Sequence, residues 1–386
     1  MQPEINCPII RVPEVLPCDI GELEPLLLHL EANKAVEKPE VFPRGALLPD
    51  GRLDLCKQSV GPEGCALLTK ALRNNLQVKS LLLGTDAIGD TGAKDVADLI
   101  ENNSSLEIIY LGCNHISSQG ASEITSVMEA NTNIKGLWFK RNPIGDEGLI
   151  AIAQMLRENT HLKSLDVVNC GFGLEGLTAL CDALCESNRT LKRLYLSGNG
   201  IGVDGAKVLS RLLQENANLE SLFVSVNAFG DEGTTVLTDA LRENRSLKEI
   251  SLGSSGIGTD GAKALCEAVA THPTLEVLDL NRAASQNVLS AAANDFSQSA
   301  DFFAEMLKQN KSLRRFQACG TKIPLSGTRE LDKAAQKHPK LTHFHIDAKL
   351  SPELKAHLTK NLEAAPDIET PDDVTLIRSV YRTAKA

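Results

Sequence analysis

The chain has 386 residues, 42% of them hydrophobic and only 4% aromatic, with a formal net charge of −10 at pH 7. No run of eighteen apolar residues is present to cross a bilayer. The excess of carboxylates disfavours binding to nucleic-acid phosphates, an affinity that comes from clustered Lys and Arg. Ten cysteines stand at irregular spacings without a C-x-x-C pair, and the first thirty residues, with Glu4, Glu14, Asp19 and Glu22, lack the basic-then-apolar order of a secretory signal. Reduced thiols and a cytoplasmic location are expected.

In chain order, residues 1–49 read as an N-terminal cap, with scattered prolines and a helix, DIGELEPLLLHLEANK, beginning at Asp19. From 50 to 348 the chain repeats itself. The first apolar position of successive repeats falls at Val78, Leu106, Ile134, Leu162, Leu191, Leu219, Leu247 and Leu275, a period of 28 with one step of 29. Each start opens an LxxLxL pattern and so one short strand, as in Leu106, Ile109 and Leu111. Eight residues after the start, Asn114, Asn142, Asn199 and Asn227 recur, with Asp86 and Cys170 standing in once each. Such side chains satisfy backbone groups where a strand turns into a loop.

Fourteen residues after the start a glycine holds register, from Gly64 and Gly92 to Gly261 and Gly327, and is expected to allow the close turn into a helix. The rest of each repeat, as in GAKDVADLIENN, spaces apolar residues at three and four and predicts one amphipathic helix. Asparagines from Asn75 to Asn244 close those helices, where their tolerance of left-handed backbone is expected to serve. One step, from Leu275 to Leu313, is 38 residues, so ten residues are inserted within 281–300. After the array, residues 349–386 supply a closing helix capped by Ser351 and a tail. That tail is expected to add a helix from about Asp372, with Val374, Ile377 and Tyr381 docking on the cap or on a partner.

A strand and helix recurring every 28 residues bury their apolar faces only by stacking. The expected fold is therefore α/β, a solenoid of about eleven repeats with a parallel sheet on its concave face and helices on the convex face. The LxxLxL motif with its asparagine resembles the leucine-rich repeats of ribonuclease inhibitor and of the C-terminal halves of NOD-like receptors. That resemblance implies a horseshoe and a role as inhibitor, sensor or adaptor.

Side chains alternate along a strand, so the residues between the core leucines face the open side. One such column contains Tyr110, Trp138, Asp166, Tyr195 and Phe223, which gathers the single Trp and two of the three Tyr. Exposed aromatics flanked by charge make the usual energetic centre of an interface. Lys140, Arg141, Asp166 and Arg193 supply that charge, and a protein partner is expected on this column.

Two enzymatic alternatives stand beside this non-catalytic scaffold. His343, His345 and Asp347 alternate along the last strand and have the spacing to bind one transition metal ion, with Asp279, Gln317 and Cys319 nearby and the inserted loop as a lid. A GTPase activator is the third reading, because the Ran GTPase-activating protein is built from similar repeats. Cys56, beside Lys57, is a weaker candidate for a reactive thiol. No phosphate-binding loop, nucleophile elbow or dinucleotide fingerprint occurs, and no catalytic residue or organic cofactor is expected.

Overall fold

The computed structural model describes residues 15–284, 291–365, 368 and 370–381. It divides into two compact units, Met1–Leu191 with Thr370–Ala386, and Lys192–Glu369. In both, strands alternate with helices as the 28-residue period predicts.

The first unit opens with a short 3-10 turn, Ile20–Glu22, whose N-cap Asp19 accepts from the Gly21 N–H, followed by α1 (Glu24–Glu31). Leu23, Leu26 and Leu30 of this segment are buried. Strands β1 (Glu40–Val41), β2 (Ala46–Leu47) and β3 (Arg52–Asp54) follow, then α2 (Gly61–Leu72), β4 (Ser80–Leu82), α3 (Gly89–Asn102), β5 (Ile108–Tyr110), α4 (Ser118–Met128), β6 (Gly136–Trp138), α5 (Gly145–Glu158), β7 (Ser164–Asp166) and α6 (Leu174–Glu186). From β3 to β7 the strands pair in parallel, with Leu53, Leu81, Ile109, Leu137 and Leu165 in register. The sheet is not parallel throughout: β1 pairs with β2, and β2 with β3, in antiparallel fashion. Only short turns join these strands, and a parallel pairing would need a longer crossover.

The second unit contains β8 (Arg193–Tyr195), α7 (Val203–Glu215), β9 (Ser221–Phe223), α8 (Gly230–Glu243), β10 (Glu249–Ser251), α9 (Thr259–Ala270), β11 (Val277–Asp279), α10 (Ala300–Gln309), β12 (Arg315–Gln317), α11 (Leu325–Ala335), β13 (His343–His345) and the closing α12 (Pro352–Ala364). Strands β8 to β13 are parallel neighbours. The Ser351 hydroxyl caps α12 by accepting from the Leu354 N–H, and Asn361 and His357 of that helix bond the His338 carbonyl. Residues 285–290 of the insertion, where a lid is expected, lie outside the described residues. The chain rejoins the repeat at Asn294, which accepts from the Ser255 and Ile257 N–H groups as the repeat asparagine does elsewhere.

Three recurring positions act differently from expectation, or more specifically. The loop asparagines form a ladder: Asn142 accepts from the N–H groups of Asn114 and Ile116 in the preceding repeat and donates to the carbonyls of Leu111 and Phe139. The helix-closing asparagines are not left-handed. Asn103, Asn159 and Asn244 have φ of −116°, −72° and −64° with extended ψ. Their side chains do the work: the Asn103 Oδ1 accepts from the N–H groups of Ser105 and Leu106, and its Nδ2 donates to the carbonyls of Leu72 and Asn75 one repeat back.

The register glycines lie inside the first helical turn and serve close helix packing instead of a turn. A Cβ at Gly120 would stand 2.5 Å from Asp90 Oδ1 and 3.0 Å from the Ala93 Cβ, and one at Gly327 would stand 2.3 Å from the Ala300 Cβ. Asp146 and Asp231 use the proximity this allows. Each sends one carboxylate oxygen to two N–H groups at the start of the next helix, Gly173 and Gly176 in one case, Gly258 and Gly261 in the other.

Residues 370–381, the end of the described chain, belong to the first unit. The helix expected from Asp372 is a single turn, α13 (Asp372–Thr375). It docks neither on the cap nor on α12 but on the outward side of strands β3 to β7.

Candidate partner-binding face

On the strand face of the first unit the middle outward column reads Asp54, Leu82, Tyr110, Trp138 and Asp166, as alternation requires. The expectation that its aromatics are exposed is overturned. Tyr110 is 6% exposed and Trp138 1%, and with Cys56, Leu82 and Ile108 they make one apolar cluster against which Leu376 and Ile377 of the tail pack. The thiol of Cys56 is buried in this cluster, not presented for reaction.

Both rings lie down along the sheet because glycines leave room. A Cβ at Gly136 would stand 2.1 Å from Trp138 Cζ3, one at Gly112 2.6 Å from the Tyr110 hydroxyl oxygen, and one at Gly84 2.8 Å from Tyr110 Cε1. A glycine inside or beside a strand marks such a close approach. Here the sequence held a signal that the column alone missed.

The polar edge of the seat comes from a neighbouring outward column, Arg52, Ser80, Ile108, Gly136 and Ser164, which the sequence reading did not single out. Ser164 Oγ donates to Asp373 Oδ2 at 2.6 Å, and Ser80 Oγ donates to the Leu376 carbonyl at 2.7 Å. Arg52 donates to the Arg378 carbonyl. The Asp54 carboxylate, fully buried, accepts from Ser379 Oγ at 3.0 Å and from the Val380 N–H at 2.6 Å. Burial and the Asp54 charge push the phenol of Tyr381 up. The tail thus crosses the strands from β7, at Asp373, to β3, at Ser379 and Val380. Four strand spacings of roughly 4.8 Å give the seat a length of about 19 Å.

Two of the charged residues expected beside the aromatics behave differently. Lys140 continues the outward alternation beyond Trp138, whereas Arg141, with φ 61°, sits in a left-handed turn past the strand end. Asp166 is buried, and its Oδ1 accepts from the Val168 N–H at 2.8 Å.

In the second unit, Tyr195 and Phe223 are half-buried and stack as the strand spacing implies, centroids 4.2 Å apart and planes within 2°. Arg193 is half-buried two residues before Tyr195. Beyond the aromatics this face turns polar. Glu249 is hydrogen-bonded to Ser221 with Arg315 and Arg193 near, and burial raises its carboxyl, as burial also raises that of Asp279. Asn281 donates to Gln317 Oε1 at 2.7 Å.

The three candidate metal ligands are not brought to one point. The rings of His343 and His345 are 6.2 Å apart and perpendicular, and Asp347 Oδ2 accepts from the Gly320 N–H at 2.6 Å. Among the described residues, no group of three His, Cys, Asp or Glu stands close enough to hold a metal ion. Nor, among them, is any helix long and apolar enough to cross a membrane.

A leucine-rich-repeat family model matches the chain at residues 102–124, 130–153, 158–181, 187–210 and 243–266. No curated protein sequence matches it. Among solved structures it is similar to actin-binding site 2 of leiomodin-1, at 20% identity and TM-score 0.34 over 42% of this chain and 87% of that one. It is also similar to the tropomodulin C-terminal domain of Caenorhabditis elegans, at 18% identity and TM-score 0.33 over 43% of this chain and 92% of that one. With five family matches falling in phase on the strand-and-helix period, this chain is a leucine-rich-repeat protein.

Proposed function

We propose that the chain is a non-catalytic scaffold that binds protein partners on the strand faces of its repeats, and that these repeats are of the ribonuclease-inhibitor type, which their LxxLxL motif and asparagine resemble. One observation carries this reading: the strand face of the first unit holds a polypeptide segment, its own residues 370–381, through apolar packing and through bonds to both side-chain and main-chain atoms. A surface with those groups recognises peptide. On the second unit, the stacked Tyr195 and Phe223 with Arg193 beside them supply the aromatic and charged anchors that dominate interface energies.

The test is selection of twelve-residue peptides from a displayed random library on the immobilised full chain, followed by affinity measurement. Selected ligands should lose at least about tenfold in affinity with Tyr195→Ala/Phe223→Ala, each 1.4 kcal/mol being a factor of ten. Substitution of the exposed α11 residue Leu325 by Ala should change nothing. Ligands indifferent to every strand-face change would remove the scaffold reading.

A further inference from the structure

The two strand faces differ in a way the repeat pattern does not require. Where β10, β11 and β12 carry Ser251, Asp279 and Gln317 outward, β4, β5 and β6 carry Leu82, Tyr110 and Trp138, with Ile108 beside them. Left bare, this bed would be a contiguous apolar patch of the kind that marks an interaction site. Its cover is slight. Residues 370–381 include one helical turn. Asp373 and Ser379 are buried, Leu376 and Ile377 only half-buried, and Val380 is 45% exposed.

The recognition is also largely generic. Ser80, Arg52 and Asp54 bond the Leu376 carbonyl, the Arg378 carbonyl and the Val380 N–H, main-chain atoms that any polypeptide offers. What the seat reads of a sequence is an acidic residue at Ser164, an apolar pair on the bed and a hydroxyl at Asp54. Covalent attachment gives a tethered segment an effective concentration on the order of millimolar, enough to fill a weak seat that a better free ligand at lower concentration can still take.

Resting on the scaffold reading, we propose that the face of β3 to β7 is a receptor for a short linear segment of a partner protein, and that the tail is its exchangeable resident occupant. The segment carries the tail's own pattern: an acidic residue, an apolar pair three and four positions later, and a hydroxyl residue two beyond, as in Asp373, Leu376, Ile377 and Ser379.

Trp138 is the chain's single tryptophan and lies in the bed, so its emission reports the seat directly. The experiment compares the full chain with full-length Leu376→Asp/Ile377→Asp. The variant should show a red-shifted Trp138 emission and several-fold greater acrylamide quenching, with unchanged far-UV circular dichroism. A synthetic peptide of residues 370–381 should restore the blue emission in the variant, while the same peptide carrying both aspartates should not. The unaltered chain should bind that peptide at least about tenfold more weakly than the variant does, because its own tail competes.

Unshifted emission in a folded variant would show that the tail does not cover the bed. A shifted variant that the peptide fails to restore would make the tail a fixed strap. A dimer of the unaltered chain in sedimentation, dissolved by the two substitutions, would place the tail on a second copy. Each of these overturns the proposal. If the aspartate pair prevents folding, Leu376→Ala/Ile377→Ala reads the same changes at smaller amplitude. Failure of the peptide to bind, with library ligands still lost on Tyr195→Ala/Phe223→Ala, would overturn the exchangeable seat and leave the wider scaffold reading standing, whereas ligands indifferent to every strand-face change would sink that wider reading.

Discussion

Asp54 and Ser379 stand 325 positions apart in sequence and share a hydrogen bond of 3.0 Å, the Ser379 hydroxyl donating to a carboxylate that also takes the Val380 N–H. Bonds to a charged acceptor are worth about 1.5–3 kcal/mol each when made inside a protein. Asn in place of Asp54 keeps the shape but turns one acceptor into a donor facing the Val380 N–H or the Ser379 hydroxyl. Asp54→Asn is therefore expected to loosen the tail, measured as a rise in acrylamide quenching of Trp138 with the far-UV spectrum preserved. Quenching equal to that of the unaltered chain would mean that the apolar contacts alone hold the tail.

Gly136 and Trp138 make a second coupled pair. With a prospective Cβ 2.1 Å from the indole, Gly136→Ala forces the ring off the sheet. Overpacking of this kind costs about 1–3 kcal/mol. The urea midpoint should fall, and Trp138 emission should shift to the red because the floor beneath Leu376 and Ile377 is disturbed.

Asp86 occupies a ladder position filled by asparagine at 114, 142, 199 and 227. Its Oδ1 accepts from the N–H groups of Gln58 and Val60, but its buried Oδ2 has no partner among the described residues. Burial pushes this carboxyl well above its ordinary range, against the backbone N–H groups that favour its charge. The folded chain therefore keeps the proton to higher pH than the unfolded one, and stability falls as pH rises from about 4 through the raised value. Asp86→Asn should stabilise the protein at pH 7 by about 1–3 kcal/mol, since the amide can donate one repeat back as Asn114 does to the Leu83 carbonyl. Unfolding curves at pH 5 and pH 8 should lie closer together in the variant than in the unaltered chain.

His272 and His338 take the place of helix-closing asparagines. Each uses Nδ1 as the acceptor, from the Leu275 N–H at 3.0 Å in one case and the Leu341 N–H at 3.1 Å in the other. Burial, helped by Arg245 for His272 and by Lys311, His357 and Lys340 for His338, lowers both to about 4 from 6.5. A proton on Nδ1 abolishes the acceptor, so the folded state resists protonation. Stability is fully present above pH 6.5 and is lost as pH falls toward 4, by on the order of 1–3 kcal/mol for each ring. The double variant His272→Asn/His338→Asn keeps the acceptor without titrating. Its urea midpoint should drop less than that of the unaltered chain between pH 7.5 and 4.5, and parallel drops would refute the assignment.

Much of the fold was legible because a leucine-rich repeat is written locally. LxxLxL placed the strands, and the loop asparagine fell into the ladder that its chemistry suggests. The helix-closing asparagine and the register glycine were located correctly but assigned the wrong work. Both were read as backbone-conformation residues, whereas Asn103 acts through its amide and Gly120 through the absence of a Cβ near Asp90. Intrinsic preference says what a residue tolerates, and only its neighbours one repeat away say which tolerance is used.

The candidate face was legible in part. Alternation alone placed Tyr110, Trp138, Tyr195 and Phe223 outward, and strand spacing alone implied the Tyr195–Phe223 stack. It did not reveal that Tyr110 and Trp138 are covered, nor single out Ser80 and Ser164, small polar residues that look like ordinary strand surface until Leu376 and Asp373 arrive.

The sequence by itself determined the period, the strand and helix of each repeat and the core, because every one of these rests on contacts within about one repeat length. Only the tertiary structure decided where residues 370–381 go. Their partners, Asp54, Ser80 and Ser164, lie 209 to 326 positions away, and no periodicity links them. A short segment with one apolar pair, one acid and one hydroxyl has many surfaces it could suit in sequence, and shape and burial select one.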